Sequence, residues 1–185
     1  MANNTITPQF RAAFISVFRP TKARDAAPDA KAKFSIRAAF PPDADLATLK
    51  AEAKAVIAEK WGDKAPKTLR SPFRTNEELE NPIPGIGDDW IVMTFSATED
   101  RRPGLVDANL QDIIDESEVY AGAWYRAQIR AFAYDSAGNK GVSFGLQNVQ
   151  KLKDDEPLGA GRTPANKAFE AFGGASSKGA GSLFE

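Results

Sequence analysis

Aromatic and cationic side chains recur at every second position through "AWYRAQIRAFAYDSAGNKG", residues 123–141. Trp124, Arg126, Arg130, Phe132 and Tyr134 share one parity, and Tyr125, Ala127, Ile129, Ala131 and Ala133 share the other. In an extended strand a parity is a face. Aromatic rings stack on the flat face of any nucleobase, at about 1–3 kcal/mol per base, and guanidinium groups neutralise phosphate and stack in turn. The row, continued by Lys140, has the composition that a single nucleic-acid strand needs. The reverse arrangement satisfies the same alternation, with Trp124, Phe132 and Tyr134 in a core and the alanines outside beneath a loop.

Two further basic clusters have binding chemistry. "KAPKTLRSPFR" sets Lys64, Lys67, Arg70 and Arg74 around Phe73 in a loop stiffened by Pro66 and Pro72. Such a loop could close over a nucleic-acid strand, or simply tuck Phe73 into the core. "DRRPG" places Arg101 and Arg102 at a turn, where they could touch phosphate or pair with neighbouring carboxylates. The carboxylates Asp107, Asp112, Asp115, Glu116 and Glu118 could hold Mg²⁺ for phosphodiester cleavage, though their spacing fits no nuclease motif and a solvated acidic loop explains them as well. Two glycine patterns are decoys: "GIGDDW" precedes a strand rather than a helix, and "GGASSKG" lacks the Gly-Lys-Ser/Thr order of a phosphate loop.

Composition narrows these options. The 185 residues include neither Cys nor His. That removes thiolate and imidazole nucleophile systems, His-ligated zinc, disulfides and the usual general base near neutral pH. Net charge is −1, but the signs are segregated: residues 1–75 carry 14 Lys/Arg against 7 Asp/Glu, residues 76–120 carry 2 against 12, and residues 121–153 carry 5 against 1. A basic face can therefore exist on a nearly neutral chain. "MANNTITPQF" lacks a basic start followed by an apolar run, and "WIVMTF" is far too short to span a bilayer. A soluble chain in the cytoplasm, with no membrane partner, is expected.

The elements that must position these residues are mainly strands. "FRAAFISVFRP" alternates Phe10, Ala12, Phe14, Ser16 and Phe18 against Arg11, Ala13, Ile15 and Val17, ending at Pro20. "KFSIRAAF" places Phe34, Ile36, Ala38 and Phe40 on one face, with Lys33, Ser35 and Arg37 on the other, and stops at Pro41–Pro42. The period then changes. Leu46, Leu49, Ala53, Val56, Ile57 and Trp61 form one helical stripe over about residues 45–61, with Asp43 or Asp45 to cap it and Gly62 to end it. A long Pro-rich loop follows, then a strand at "WIVMTFSA". "WYRAQIRAFAY" and "KGVSFGLQNVQKL" read as a hairpin joined by "DSAGN". About five strands and one amphipathic helix predict a mainly β domain over residues 1–152, best accommodated by a small closed or partly open barrel. The Gly/Ala/Ser-rich residues 153–185 predict a flexible C-terminal tail.

Three segments, "WGDKAPKTLRSPFR", "RPGLVDANLQDIIDESEVYAGAWYRAQI" and "GNKGVSFGLQNVQKLKDDEPLGAGR", resemble a family of single-stranded DNA-binding proteins of tailed phages and prophages. The likeness runs from about Phe10 to Arg162. It implies a five-stranded oligonucleotide-binding (OB) barrel, no catalysis, no cofactor, and a role in phage DNA replication, recombination or repair in the bacterial host. On that reading Arg126, Phe132 and Tyr134 stand where the family has a basic residue and aromatics. Partners would be single-stranded DNA and phage or host replication and recombination proteins. Exposed strand edges and the tail permit self-association on DNA. Such proteins often end in an acidic tail with a terminal aromatic that contacts partners. Phe184 and Glu185 keep that ending, while Arg162, Lys167 and Lys178 leave the tail only mildly acidic. Two other readings stay open: a metal-dependent nuclease built on the Asp107–Glu118 carboxylates, and a phage protein-interaction module.

Overall fold

A computed structural model of the chain describes residues 3–158 and Phe169. In chain order the elements are β1 (Asn4–Ile6), β2 (Phe10–Thr21), β3 (Lys33–Phe40), α1 (Ala47–Trp61), β4 (Arg74–Thr75), β5 (Ile91–Thr98), β6 (Gly104–Val106), β7 (Trp124–Ser136) and β8 (Asn139–Lys153). The five long strands close on themselves: β2 pairs with β3, β3 with β5, β5 with β8, β8 with β7, and β7 with β2. Only the β5–β8 junction in this ring is parallel. This is the five-stranded OB barrel that the resemblance implies.

Three short strands were not expected. β1 adds to the side of β7, β4 pairs with β5, and β6 runs parallel to β8. Each is two or three residues long, too short for any alternation to register.

The barrel interior is aromatic. Phe10 sits 5.5 Å from Phe40, 6.0 Å from Phe95 and 6.3 Å from Tyr125, while Phe95 meets Phe144 at 6.2 Å. Helix α1 adds Leu49, Ala53 and Val56 to the same core, with Ile57 packed beside them. Asp45 accepts a hydrogen bond from the Ala47 backbone N–H at 3.0 Å, and Gly62 ends the helix at φ +53°. The β7–β8 turn is tighter than "DSAGN" suggests. Only Ala137 and Gly138 lie outside the strands, both at positive φ (48° and 81°), as a two-residue hairpin turn with right-handed strand twist demands.

Strand β2 departs from its simple alternation. It runs through Pro20 to Thr21, and its register against β3 shifts between Ala12 and Phe14. Phe10 and Ala12 are fully buried, but Phe14 is 48% exposed, and Ile15 and Val17 take over the inward positions. The expected grouping of Phe14 with Phe10 is thus corrected. One extra residue in a strand inverts the facing of the residues that follow it, here until the register shifts again between Ser16 and Thr21 and Phe18 packs back on the core.

Candidate nucleic-acid interface

Alternation along β7 is resolved in one direction. Tyr125, Ala127, Ile129 and Ala131 are buried in the barrel core. Trp124, Arg126, Gln128, Arg130, Phe132 and Tyr134 occupy the outer face. Burial of Tyr125 pushes its phenol far above its ordinary pKa, and its hydroxyl accepts from the Tyr120 N–H and donates to the Tyr120 carbonyl, both at 3.1 Å.

Outside the wall lies a groove of about 1060 Å³. Its floor carries Arg37 of β3, Thr94 of β5, Ser143 of β8 and Tyr134 of β7, and its bank is the segment Arg70–Arg74. That segment is part of the wall. β5 and β8 pair over only two residue positions, Phe95↔Phe144 and Ser96↔Gly145, and then part. The gap is filled by residues 70–75. Arg70 donates its N–H to the Lys140 carbonyl at 2.9 Å and accepts from the Val142 N–H at 3.3 Å, while Arg74 and Thr75 pair with Val92 and Ile91 of β5. Between these anchors Phe73 packs edge-on against Phe144, ring centroids 6.1 Å apart. Gly141 is required beneath it. A β-carbon there would lie 2.6 Å from the Arg70 carbonyl oxygen and 2.8 Å from the Tyr134 hydroxyl.

The far bank is held by Asn76. Its buried side chain donates to the carbonyls of Ile83 (3.2 Å) and Ile86 (3.0 Å) and accepts from the Ile83 N–H (2.8 Å). This fixes the loop whose Glu78 and Leu79 line the groove. Among the described residues, Arg37, Arg70, Arg74 and Arg130 have no carboxylate within 4.0 Å. Their charge is left to a ligand. An outer barrel wall with unpaired guanidinium groups and a Tyr ring can hold a polyanion whose flat bases stack.

The family described as "Enterobacter phage Enc34, ssDNA-binding protein" matches residues 3–179. The chain belongs to that family. A phage relative, "Putative protein p50" of Acyrthosiphon pisum secondary endosymbiont phage 1, is 27% identical over 169 residues, covering 86% of this chain and 89% of its own. The solved structure of the single-stranded DNA-binding protein from bacteriophage Enc34 in complex with ssDNA superposes with a TM-score of 0.71 at 19% identity, over 84% of this chain and 89% of that one. Gp2.5, a single-stranded DNA binding protein encoded by bacteriophage T7, gives 0.62 at 13% identity, over 96% of this chain and all of its own.

In this member of the Enc34 family the residues singled out in sequence divide into groups. Arg70, Phe73, Arg74 and Tyr134 meet in the groove. Phe132 is 45% exposed and Arg130 also points outward, both on the same strand face as Tyr134. Lys140 stands near the groove and pairs with Asp135 at 3.2 Å. Lys67 is exposed but does not line the groove. Arg101 and Arg102 lie beyond the end of β5, where Arg102 covers the Phe18 ring at 5.2 Å.

Trp124 and Arg126 sit at the opposite end of β7. The Trp124 indole N–H donates to Asp155 Oδ2 at 2.8 Å, and its ring lies 6.2 Å from Trp90 and beneath the Lys153 ammonium at 5.0 Å. The Arg126 guanidinium donates to Gln150 Oε1 at 2.6 Å. Trp124 is thereby engaged with the segment that follows β8. Asp154 accepts from Tyr120 (2.8 Å) and pairs with Lys151 (2.7 Å), and Arg11 donates to the Glu156 carbonyl at 2.7 Å. Lys151 and Tyr120 hold the Asp154 carboxyl below the usual carboxylate range, and the Trp124 indole does the same for Asp155. Packing continues to Leu158, which joins Ile86 and Val92 in a second apolar cluster.

Phe184 and Glu185 lie outside the described residues, as does most of the 153–185 segment. In the acidic stretch, Asp107 accepts from the Asn109 and Gln111 N–H groups, and Asp115 from those of Ser117. No group of three or more acidic side chains among the described residues is placed to hold a metal ion. Nor is any described helix long and apolar enough to cross a membrane.

Arg37, Thr94 and Ser143 were not singled out as binding residues. Arg37 stood on the polar face of "KFSIRAAF", and its outward facing was legible there. What the alternation of one strand lacks is its neighbours, and only the β3–β5–β8 order puts Arg37 beside Thr94 and Ser143.

Proposed function

We propose that this protein binds single-stranded DNA with little regard for sequence, and protects and organises it during phage DNA replication, recombination or repair. The observation that carries this reading is the groove on the outer OB wall, where Arg37, Arg70 and Arg74 stand without carboxylate partners among the described residues, beside Tyr134. Guanidinium groups take phosphates there and the phenol ring takes a base. Lys67 and Lys140 extend the positive rim, and Arg130 and Phe132 continue the surface along β7. Arg101 and Arg102 flank the far end of β5 as auxiliary phosphate contacts. Trp124 and Arg126 hold the segment after β8 and the hairpin edge, away from the groove.

The protein works by binding, in the cytoplasm of the bacterial host. Its partners are the DNA itself, further copies of the chain along it, and phage or host replication and recombination proteins, with Phe184 and Glu185 as the tail contact. The test is a titration with a labelled oligonucleotide, single- against double-stranded. With roughly four phosphates neutralised, log K falls against log[salt] with a slope of about −3. Equal affinity for duplex, or a salt-independent constant, would refute the reading. Labelled strand incubated with protein and Mg²⁺ should be recovered at full length.

A further inference from the structure

Phe14 is a large apolar ring set on the outer wall. On the parity of Phe10 and Ala12 it would enter the core, and only the register shift between Ala12 and Phe14 turns it out. Bulges of this kind are concentrated where a strand must re-aim a side chain, often beside a functional site. What Phe14 faces across the sheet is informative. It pairs in register with Arg37 of β3, and Arg37 pairs with Thr94 of β5. One residue before the Phe95↔Phe144 pairing stand Thr94 and Ser143 of β8, which line the same groove, and Ser143 pairs with Phe132 of β7. A single register row thus winds across the outer wall as Phe14, Arg37, Thr94, Ser143 and Phe132. Its centre is the groove floor and its two ends are half-exposed phenyl rings, at 48% and 45%.

We propose that this row is the path of the bound strand, with Phe14 and Phe132 as base-stacking platforms at its two ends and Arg37 holding phosphate between them. The proposal rests on the single-strand-binding reading above and adds to it a residue, Phe14, and a route that crosses the β-strands. Four strand spacings separate the platforms, about 19 Å along the wall. An oligonucleotide must be several nucleotides long to reach both.

The test uses the full chain, oligothymidylates of increasing length, and the variants Phe14→Ala, Phe132→Ala and the double substitution. On a 20-mer each single substitution should weaken binding about five- to a hundred-and-fiftyfold, the range for one stacked base, and the double should multiply the two losses. On an oligomer too short to span the row, either single variant retains the other platform and loses no more than about twofold. Thermal midpoints of both single variants should match that of the parent, since both rings are surface groups. As a second measurement on the unsubstituted protein, a 5-iododeoxyuridine 20-mer should photo-cross-link to the tryptic peptide spanning residues 12–22. If the parent chain binds the 20-mer and Phe14→Ala binds it equally well, with no cross-link in that peptide, the path is wrong although the function stands. If the parent binds no single strand, the function falls and the path with it.

Discussion

Arg37 is a cation at the centre of a strand, opposite Phe14 and Thr94, with no carboxylate nearby among the described residues. Its loss should be read in salt dependence more than in stability. Arg37→Ala should leave the thermal midpoint unchanged and make the slope of log K against log[salt] shallower by about 0.7, the share of one single-strand phosphate. Fluorescence titrations at four salt concentrations would measure it, and an unchanged slope would remove Arg37 from the interface. Asn76 makes the opposite case. Its buried amide bonds three backbone groups, so Asn76→Ala leaves the Ile83 N–H and the Ile86 carbonyl without that partner, while the Ile83 carbonyl keeps the Ile86 N–H. Urea unfolding should show a loss of about 2 kcal/mol or more. At this scale composition was a good guide to residue type and a poor one to duty. Trp124 and Tyr134 share one face of one strand, yet the first is engaged by Asp155, Lys153 and Trp90 while the second opens into the groove. No property of the β7 sequence separates them, because the difference comes from what packs against each end.

Among the elements, β3 occupies the predicted residues end to end, and the helix, the hairpin and the five long strands follow from periodicity alone. These are the elements whose apolar faces are long enough to repeat. The bulge in β2 was hidden because a one-residue shift leaves both parities of "FRAAFISVFRP" apolar enough to pass for an inward face. Segment 70–75 was read as a closing loop because its pairing, to β8 at one end and β5 at the other, is wholly non-local. That pairing predicts the effect of filling the space at Gly141. Gly141→Ala sets a methyl group against the Arg70 carbonyl and the Tyr134 hydroxyl. The wall segment must shift outward, at a cost of about 1–3 kcal/mol. Calorimetry should show a lower midpoint, and titration a loss of affinity larger than that from Gly145→Ala, where a β-carbon makes only ordinary contacts, the nearest at 3.7 Å.

For the molecule as a whole, the chain after β8 is bound back to the barrel by Asp154 and Asp155, both with depressed pKa values. A carboxyl whose folded pKa lies below its unfolded value of about 3.9 stabilises the fold fully above that value and loses the contribution as pH falls through the folded pKa. Release of residues 154–158 is therefore expected below about pH 4, with the barrel still closed. Trp124 reports it directly, because its indole loses the Asp155 partner. An acid titration of tryptophan emission should show a transition ahead of global unfolding, and Asp155→Asn should remove most of its amplitude. Emission that changes only together with the far-ultraviolet circular dichroism would contradict this.

Two of the five junctions that close the ring are only two residues long, β2 with β7 and β5 with β8. The first is riveted by Arg11, whose guanidinium donates to the Gly122 carbonyl, and by the backbone bonds between Ala12 and residues 122–123. The second is held by the Phe95–Phe144 ring contact and bridged beyond it by the inserted segment 70–75, and the groove lies directly over it. A strand that touches Thr94 on one side and Ser143 on the other crosses that gap like the clasp of a bracelet. On the proposed path ligand and barrel fasten one another: occupancy suppresses opening of the β5–β8 junction, and a variant that loosens the junction loses affinity in proportion to the closed population it gives up.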